Sequence, residues 1–336
     1  MVTGGTGFLG SHTVKALVEA GHDLRLLVRS PDKTRTVLDG FDLEVPEYVV
    51  GDITDRGSVE QALVGCDAAI HIAALVALKD TDEDTLVRTN LEGTRTVLGA
   101  AVDHGCQRVV HVSSSAALFP FQTDPVTSDH PIGSMKGGYG RSKAAAEEVA
   151  REFQSAGAPL TIVYPTGIIG PQSPDLNETL GAAQFWVAKS TPASDDMTVG
   201  LVDVRDVADI LVAALEPDGG SGWRRYLAWG HLATMNEIGL LLRDITGRNI
   251  SMPRVPKPAM QVWGRLGDVA GRFGKDLTLT SEGARYLYNF VDADQGATLE
   301  ELRISYRPLR DTMRDMYRWM HDEGYVTADQ IGMLAA

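Results

Sequence analysis

A glycine-rich stretch, Thr3-Gly4-Gly5-Thr6-Gly7-Phe8-Leu9-Gly10, follows the first two residues of the chain. Its glycines at positions 4, 7 and 10 form the pattern Gly-x-x-Gly-x-x-Gly, and a helical pattern continues to Ala20, with Gly21 in the place of a helix C-cap. Such a turn lets backbone N–H groups approach a pyrophosphate at the positive end of a helix. The alternative is a glycine-rich turn without a ligand, because short motifs also occur by chance.

The composition is that of a large acidic globular chain. Its 336 residues are 43% hydrophobic and carry a formal net charge of -14, which fits one large domain or two unequal ones and disfavours nucleic acid as a partner. The two cysteines, Cys66 and Cys106, are too few for a disulfide framework or a cysteine-based zinc site, so we expect a cytoplasmic protein without a metal. The longest apolar run, residues 68–78, is too short to cross a bilayer, so we expect no membrane span.

Short apolar strands alternate with helical patterns through residue 165. The predicted strands are Asp23–Val28, Tyr48–Val50, Asp67–Ala74, Arg108–Val112 and Leu160–Tyr164, and the two long helices are Asp84–His104 and Tyr139–Ala156. This alternation predicts an α/β fold of the Rossmann type, a doubly wound parallel sheet with helices on both faces. The first strand of such a sheet is central, and only Met1 and Val2 precede the glycine-rich stretch. We therefore expect either a very short first strand or a chain that begins upstream.

The second half of the chain is less regular. We expect residues 1–170, with about 201–230, to form a dinucleotide-binding domain, and residues 171–200 and 231–336 to form a smaller, mostly helical C-terminal substrate-binding region. Residues 171–200 are predicted to be a loop-rich excursion, and the last helix is predicted over Pro308–His321. Apolar positions over 259–273, among them Met260, Trp263 and Leu266, predict an amphipathic helix. Its polar face carries both charge signs, which favours a packed face over a membrane-surface helix.

The residue after the second predicted strand bears on the choice of dinucleotide. NAD enzymes place an acidic residue near this point to bind the ribose hydroxyls. This chain has Arg29, whose planar guanidinium would pair with a 2′-phosphate, and Lys33 adds charge nearby. These residues predict NADP, with NAD as the alternative. An arginine that is simply solvated at the end of a strand would give the same sequence. Asp52, after the third strand, either accepts from an adenine amino group or caps a turn.

Tyr139 and Lys143 lie four residues apart at the start of a predicted helix, which places both side chains on one face. A tyrosine with a pKa of about 10 is a poor proton donor or acceptor at neutral pH. A neighbouring ammonium is expected to lower that pKa, which would make Tyr139 a general acid for a carbonyl or a base for an alcohol. Ser115, at the end of the strand Arg108–Val112, is expected to donate a hydrogen bond to the same oxygen.

Together these stretches resemble the extended short-chain dehydrogenase/reductases, which include NAD-dependent epimerase/dehydratases, dihydroflavonol reductases and 3β-hydroxysteroid dehydrogenases. The stretches that carry the resemblance are Thr3–Gly10, His71–Ala74, Asn90–Thr94, Val112–Ser115, Tyr139–Lys143, Pro165–Pro171 and Val202–Ala208.

The resemblance implies a role for each site residue. Tyr139 is the catalytic acid/base, Lys143 lowers its pKa and holds the nicotinamide ribose, and Ser115 orients the substrate carbonyl. Asn90 is largely structural. The predicted cofactor-binding residues are Gly4, Thr6, Gly7, Phe8, Leu9, Gly10, Arg29, Ser30, Asp52, Ile53, Ala73, Ala74, Ser113, Tyr139, Lys143, Pro165, Gly167 and Ile168.

The resemblance also implies an NADP-dependent oxidoreductase that transfers a hydride between nicotinamide and a carbonyl/alcohol substrate. Aromatic and methionine side chains at Phe119, Phe121, Phe185, Trp186 and Met197 favour a partly apolar small molecule. Two alternatives stay open. One is a nucleotide-sugar epimerase/dehydratase, which needs arginines in the carboxyl half to hold a diphosphate. The other is a non-catalytic NADP-sensing binding protein. The family commonly forms homodimers through the two long helices.

Overall fold

A seven-stranded parallel sheet forms the centre of the molecule in the computed structural model, which describes residues 1–75, 83–215, 222–271 and 281–335. The strand order is β3-β2-β1-β4-β5-β6-β9. The strands are β1 (Val2–Thr3), β2 (Arg25–Val28), β3 (Glu47–Val50), β4 (Ala68–His71), β5 (Arg108–Val112), β6 (Leu160–Pro165) and β9 (Arg224–Ala228). The order reverses between β1 and β4, as in a Rossmann sheet, so the predicted fold is confirmed.

Helices cover both faces of this sheet. They are α1 (Phe8–Glu19), α2 (Pro31–Asp39), α3 (Arg56–Leu63), α4 (Glu83–His104), α5 (Gly138–Ser155) and α7 (Val204–Ala213). Successive residues of a strand point to opposite faces, so Leu26 and Val28 pack in one core cluster and Leu27 packs in the other. Helices α1 and α7 supply the first cluster, while α3 and α4 supply the second.

The first strand is two residues long and still central. Val2 pairs with Leu26 on one side and Ile70 on the other, and Thr3 pairs with Leu27 and His71. The Thr3 hydroxyl also lies 2.8 Å from Nδ1 of His71. Pairing on both sides explains how so short a strand holds the glycine-rich stretch at the middle of the sheet.

The second half adds a three-stranded sheet of order β10-β8-β7. Its strands are β7 (Gly167–Ile169), β8 (Thr198–Asp203) and β10 (His231–Thr234). The helices around it are α6 (Glu178–Ala188), α8 (Met235–Thr246), α9 (Lys257–Gly271), α10 (Ser281–Tyr288), α11 (Gly296–Glu301), α12 (Leu309–Asp322) and α13 (Ala328–Ile331). A third core cluster, with Leu180, Ile238 and Met316 among its fully buried members, joins α6, α8 and α12. Every helix of the described ranges is too short or too polar to cross a membrane.

Two predictions about this half are wrong, and a third is confirmed only in part. Residues 171–200 contain α6, which is apolar on most sides and therefore lacks the amphipathic pattern by which a helix is recognised. The helix predicted to be the last, α12, is followed by the short helix α13. Helix α13 begins after Thr327, which forms a capping box with Gln330. Helix α9 confirms the predicted amphipathic helix, and Met260 is buried on it. The expected packed face is found only in part, since Trp263 and Leu266 are 57% exposed. The side chains at 269 and 270 and residue 273 lie outside the described part.

Candidate active site

A cleft of about 600 Å³ lies at the carboxyl ends of the strands of the large sheet. The predicted cofactor-binding residues that line it are Gly4, Thr6, Gly7, Phe8, Leu9, Gly10, Arg29, Ser30, Asp52, Ile53, Ala73, Ala74, Ser113, Tyr139, Lys143, Pro165 and Ile168. Gly167 does not line the cleft, and its neighbour Thr166 does. The strand β6 ends at Pro165 and the chain turns into β7, so adjacent residues face different ways.

The glycine-rich stretch forms a cradle that side chains would fill. Gly4 has a φ of 79°, and a Cβ there would lie 2.7 Å from the backbone nitrogen of Ala73. A Cβ on Gly10 would collide with the carbonyl group of Gly4. Gly7 is the N-cap of α1, and no side chain caps that helix. The first-turn N–H groups of α1 therefore face the cleft without a side-chain acceptor, which fits an anionic group such as a pyrophosphate.

The end of the cleft at β2 carries positive charge. Arg29 follows β2, and Ser30 caps α2 by accepting from the backbone N–H of Lys33 at 3.3 Å. The Lys33 ammonium lies 3.3 Å from a carboxylate oxygen of Asp175, with both groups at least half exposed. Asp52 accepts from the backbone and hydroxyl of Thr54 at 2.9 and 2.8 Å, so it caps a turn while lining the cleft.

Asn90 on α4 connects the chain after β4 to α5. Its Oδ1 accepts from the backbone N–H of Leu75 at 2.6 Å, and its Nδ2 donates to the Leu75 carbonyl at 2.9 Å and to the Ser142 hydroxyl at 2.6 Å. This arrangement fits the structural role that the resemblance implies. It fixes the position of α5, on which Tyr139 and Lys143 lie.

Tyr139 and Lys143 stand in the first turns of α5 and both line the cleft. Tyr139 is 42% exposed as a whole, and desolvation of its phenol in the cleft raises its pKa. A hydrogen bond with Ser114 lowers this pKa in part, and the carboxylate of Glu178 raises it further. The expected lowering by Lys143 is therefore not found. Desolvation of the phenolate sets the direction for Tyr139, and burial also lowers the pKa of Lys143 to about 8.

A buried carboxylate lies one turn beyond Lys143. Glu147 is 0% exposed and accepts from the Ser113 hydroxyl at 2.7 Å, the Tyr164 hydroxyl at 2.6 Å and Nε of Arg151 at 2.6 Å. Its charge opposes the fall in the pKa of Lys143. Sequence reasoning missed this residue, although its spacing of four from Lys143 places it on the same helix face.

The three serines after β5 have different partners. Ser115 is 2% exposed, and its Oγ lies 2.8 Å from the hydroxyl of Tyr286 on α10. Ser114 lines the cleft and lowers the pKa of Tyr139 as a hydrogen-bond partner, whereas Ser115 does not line the cleft, so the role expected for Ser115 stays a prediction. A 3₁₀ helix starts at Ser115 with Ser114 as its N-cap, which breaks the alternation of the strand. No pattern in the sequence indicated Tyr286.

The start of α6 forms a further wall of the cleft that sequence reasoning missed. Asn177, Glu178 and Thr179 line it. Asn177 also caps α6 by accepting from the Leu180 N–H at 2.9 Å. Asparagine is a preferred N-cap residue, so Asn177 could have indicated the start of this helix.

The aromatic and methionine residues predicted to face a substrate are mostly packing residues. Phe119 and Met197 are each 1% exposed. Met197 packs beside Met235 and Met260. Phe185 is 51% exposed on α6. Since these side chains are buried or exposed rather than gathered in one wall, they carry little information about the substrate.

The family model that describes the NAD dependent epimerase/dehydratase family matches residues 1–226. A protein of Synechocystis sp. named putative dihydroflavonol 4-reductase is 29% identical, over 97% of this chain and 95% of its own length. Sterol demethylase protein B of Methylococcus capsulatus is 30% identical, over 97% of this chain and 99% of its own. The crystal structure of gox2253 is similar with a TM-score of 0.81 at 28% identity, over 97% of this chain and 98% of that chain. The chain belongs to the NAD dependent epimerase/dehydratase family of extended short-chain dehydrogenase/reductases and is an NAD(P)-dependent enzyme.

Proposed function

We propose that this enzyme is an NADP-dependent oxidoreductase that transfers a hydride between nicotinamide and a carbonyl/alcohol substrate, with Tyr139 as the acid/base. One observation carries the proposal: the glycine cradle, Arg29, Tyr139 and Lys143 all line a single cleft. A dinucleotide that lies along this cleft would have its pyrophosphate at α1 and its reactive end at α5. The nicotinamide supplies the hydride when it is bound.

The preference for NADP is supported by the charges beyond β2. Arg29 and Lys33 line the cleft there, next to the N-terminus of α2. Two cations and a helix N-terminus suit the 2′-phosphate that distinguishes NADP from NAD. Lys33 is held loosely, because its ion pair with Asp175 is exposed. Sharing that ammonium between Asp175 and a phosphate would cost little.

Proton transfer is assigned to Tyr139. Because burial keeps the pKa of this phenol above its ordinary value, Tyr139 is protonated at neutral pH and can donate to the substrate oxygen during reduction. Ser114, which bonds to the same phenol, stabilises the negative charge that remains on it. In the range below about pH 8, Lys143 is an ammonium that can bind ribose hydroxyls and favour the phenolate.

The two alternatives receive less support. A nucleotide-sugar epimerase/dehydratase needs free arginines in the carboxyl half. Arg243 and Arg248 donate to backbone carbonyls and so hold loops. Arg254 and Arg265 are exposed, and none of these four arginines is among the residues that line the cleft. A non-catalytic NADP sensor has no need of Tyr139 and Lys143 together in the cleft.

We propose an apolar carbonyl compound as the substrate, since relatives include reductases named for dihydroflavonol and cinnamoyl-CoA. We propose too that residues 171–200 and 231–336 form the substrate-binding region and that the enzyme is a cytoplasmic homodimer. Helices α4 and α5 pack along each other and would form the dimer contact. Sedimentation of the purified chain measures the oligomeric state directly.

The function is tested by NADPH oxidation, followed at 340 nm, over a panel of aromatic aldehydes and ketones. The wild type is expected to turn over at least one of them, with NADPH preferred to NADH. Tyr139→Phe is the matched variant, because it removes the hydroxyl and keeps the ring. Equal rates for the two proteins at every pH would refute the assignment of Tyr139. Saturable NADPH binding without turnover of any carbonyl would favour the sensor.

A further inference from the structure

A segment of the second half of the chain, residues 171–177, reaches the positively charged end of the cleft. This segment, the strap, comes after β7 and ends at Asn177, the N-cap of α6. Within the strap, Asp175 places a carboxylate oxygen 3.3 Å from the ammonium of Lys33, which lies 142 positions earlier in the chain. Since Lys33 lines the cleft beside Arg29, an acidic side chain contacts one of the two cations assigned to the 2′-phosphate.

Hydrogen bonds hold the strap on both sides of Asp175. Before it, the carbonyl of Pro171 accepts from Nε2 of His12 at 3.0 Å, and His12 is only 4% exposed on α1. The hydroxyl of Ser173 donates to the backbone carbonyl of Asp175 itself at 2.6 Å. After it, the side chain of Asn177 accepts from the first turn of α6. The backbone of the strap therefore presents the Asp175 carboxylate to Lys33.

This carboxylate opposes the binding of a 2′-phosphate in two ways. While Asp175 pairs with Lys33, the ammonium attracts a second anion less strongly. A phosphate that approaches Lys33 also approaches the carboxylate, and the two negative charges repel each other. The side chains of Lys33 and Asp175 are 50% and 80% exposed, so both effects are moderate and are screened by salt. Neither effect applies to NAD, which has a hydroxyl in place of this phosphate.

We propose that Asp175 is a cofactor-specificity residue, whose carboxylate competes with the 2′-phosphate for Lys33 and so limits the preference for NADP over NAD. The preference is then set from both halves of the molecule. Arg29 and Lys33, from the connection between β2 and α2 and from α2 itself, favour NADP, and one acidic residue of the strap opposes them. This inference rests on the proposed function, because it takes these two cations as the phosphate site.

The removal of one charge tests this competition. Calorimetry measures the Kd values of NADP⁺ and NAD⁺ for the wild type and for Asp175→Asn, which keeps the shape of the side chain. In about 10 mM salt the Kd for NADP⁺ is expected to fall about threefold to fivefold, the value of one exposed ion pair, while the Kd for NAD⁺ stays within about 1.5-fold. In about 1 M salt the gain should almost disappear, because the Debye length falls from about 30 Å to about 3 Å.

Two further variants separate this competition from a general effect of charge. Glu19→Gln is the matched control, because it also removes one carboxylate from an exposed ion pair, with Lys15 on α1, and Glu19 is not among the residues that line the cleft. It should leave both Kd values unchanged. Lys33→Met removes the cation for which the two anions compete. Asp175→Asn should therefore improve NADP⁺ binding less in the Lys33→Met background than in the wild type.

Three results would overturn the inference. They are a Kd for NADP⁺ in Asp175→Asn within about 1.5-fold of the wild type at low salt, an equal change for NADP⁺ and NAD⁺, and an undiminished gain in the Lys33→Met background. Failure of the proposed function is a separate result. If the wild type prefers NAD⁺, the proposed cofactor is wrong, and a gain confined to NADP⁺ in Asp175→Asn still supports the competition. Absence of carbonyl turnover counts against the proposed function only, because these Kd values are measured without turnover.

Discussion

Removal of Glu147, which is not among the residues that line the cleft, should strongly destabilise the protein. It is 0% exposed and accepts three side-chain hydrogen bonds, from Ser113, Tyr164 and Arg151. Burial and the carboxylate raise the pKa of Tyr164, so this phenol is a neutral donor. The Arg151 side chain is 16% exposed and donates to the Glu147 oxygen that also accepts from Tyr164. Glu147 is therefore the main counterion of Arg151.

The size of the effect follows from these three bonds. Glu147→Gln keeps the volume and one carbonyl oxygen, and the Ser113 hydroxyl can rotate to accept from the new amide. The free energy of unfolding then falls only because the three hydrogen bonds no longer go to a charged acceptor. At about 1 kcal/mol for each bond, the total is about 3 kcal/mol. Both variants remove the counterion of Arg151, and Glu147→Ala also leaves the N–H of Arg151 and the hydroxyls of Ser113 and Tyr164 without their acceptor, so its expected cost is about 3–5 kcal/mol.

Urea unfolding of the cofactor-free protein, followed by circular dichroism, measures these losses. The control is Glu152→Gln on the same helix, since Glu152 forms an exposed ion pair with Arg95 at 3.3 Å. That variant should change the free energy of unfolding by less than about 0.5 kcal/mol. The reasoning is refuted if Glu147→Gln costs under about 1 kcal/mol or no more than the control.

Three further predictions concern the cofactor and pH. Arg29→Ser should weaken NADPH binding about tenfold or more and leave NADH binding within twofold, as measured by fluorescence titration; equal losses for both would contradict the role of Arg29. Gly10→Ala should abolish the binding of both cofactors, because the new methyl group collides with the Gly4 carbonyl; tight binding by this variant would contradict the cradle. Burial lowers the pKa of His12 to about 4 and that of His71 to about 3, so the unfolded chain takes up protons first as the pH falls from about 6.5. The free energy of unfolding should therefore decrease between pH 6.5 and 4, by up to about 1.4 kcal/mol per pH unit for each histidine, and a flat profile in urea titrations would show that these rings are not buried neutral.

The strands and the long helices were predictable because their signals are local. Apolar runs of the right length marked β4, β5 and β6, and the glycines at positions 4, 7 and 10 marked the turn between β1 and α1. Helix α6 was missed because it is apolar on most sides, so its sequence shows no period.

In the site, the spacing of Tyr139 and Lys143 was enough to place them together on α5. The sequence could not show that Ser114 lines the cleft and Ser115 does not, since this depends on where a 3₁₀ helix begins. Tyr286 could not be found because a contact between the 3₁₀ helix after β5 and α10 leaves no pattern in the sequence. The direction of the Tyr139 pKa was also out of reach, because desolvation depends on the packing around the phenol.

Transfer of deuterium from NADPH labelled at C4 of the nicotinamide tests the central claim most directly. The label is placed on one face in one preparation and on the other face in a second, and the product of the best carbonyl substrate is analysed by mass spectrometry. We predict that the product gains one deuterium from one of the two preparations, and that Tyr139→Phe binds the labelled cofactor but forms product at least about 100-fold more slowly. Product without deuterium from either preparation, or the same rate in both proteins, would contradict hydride transfer with Tyr139 as the proton donor.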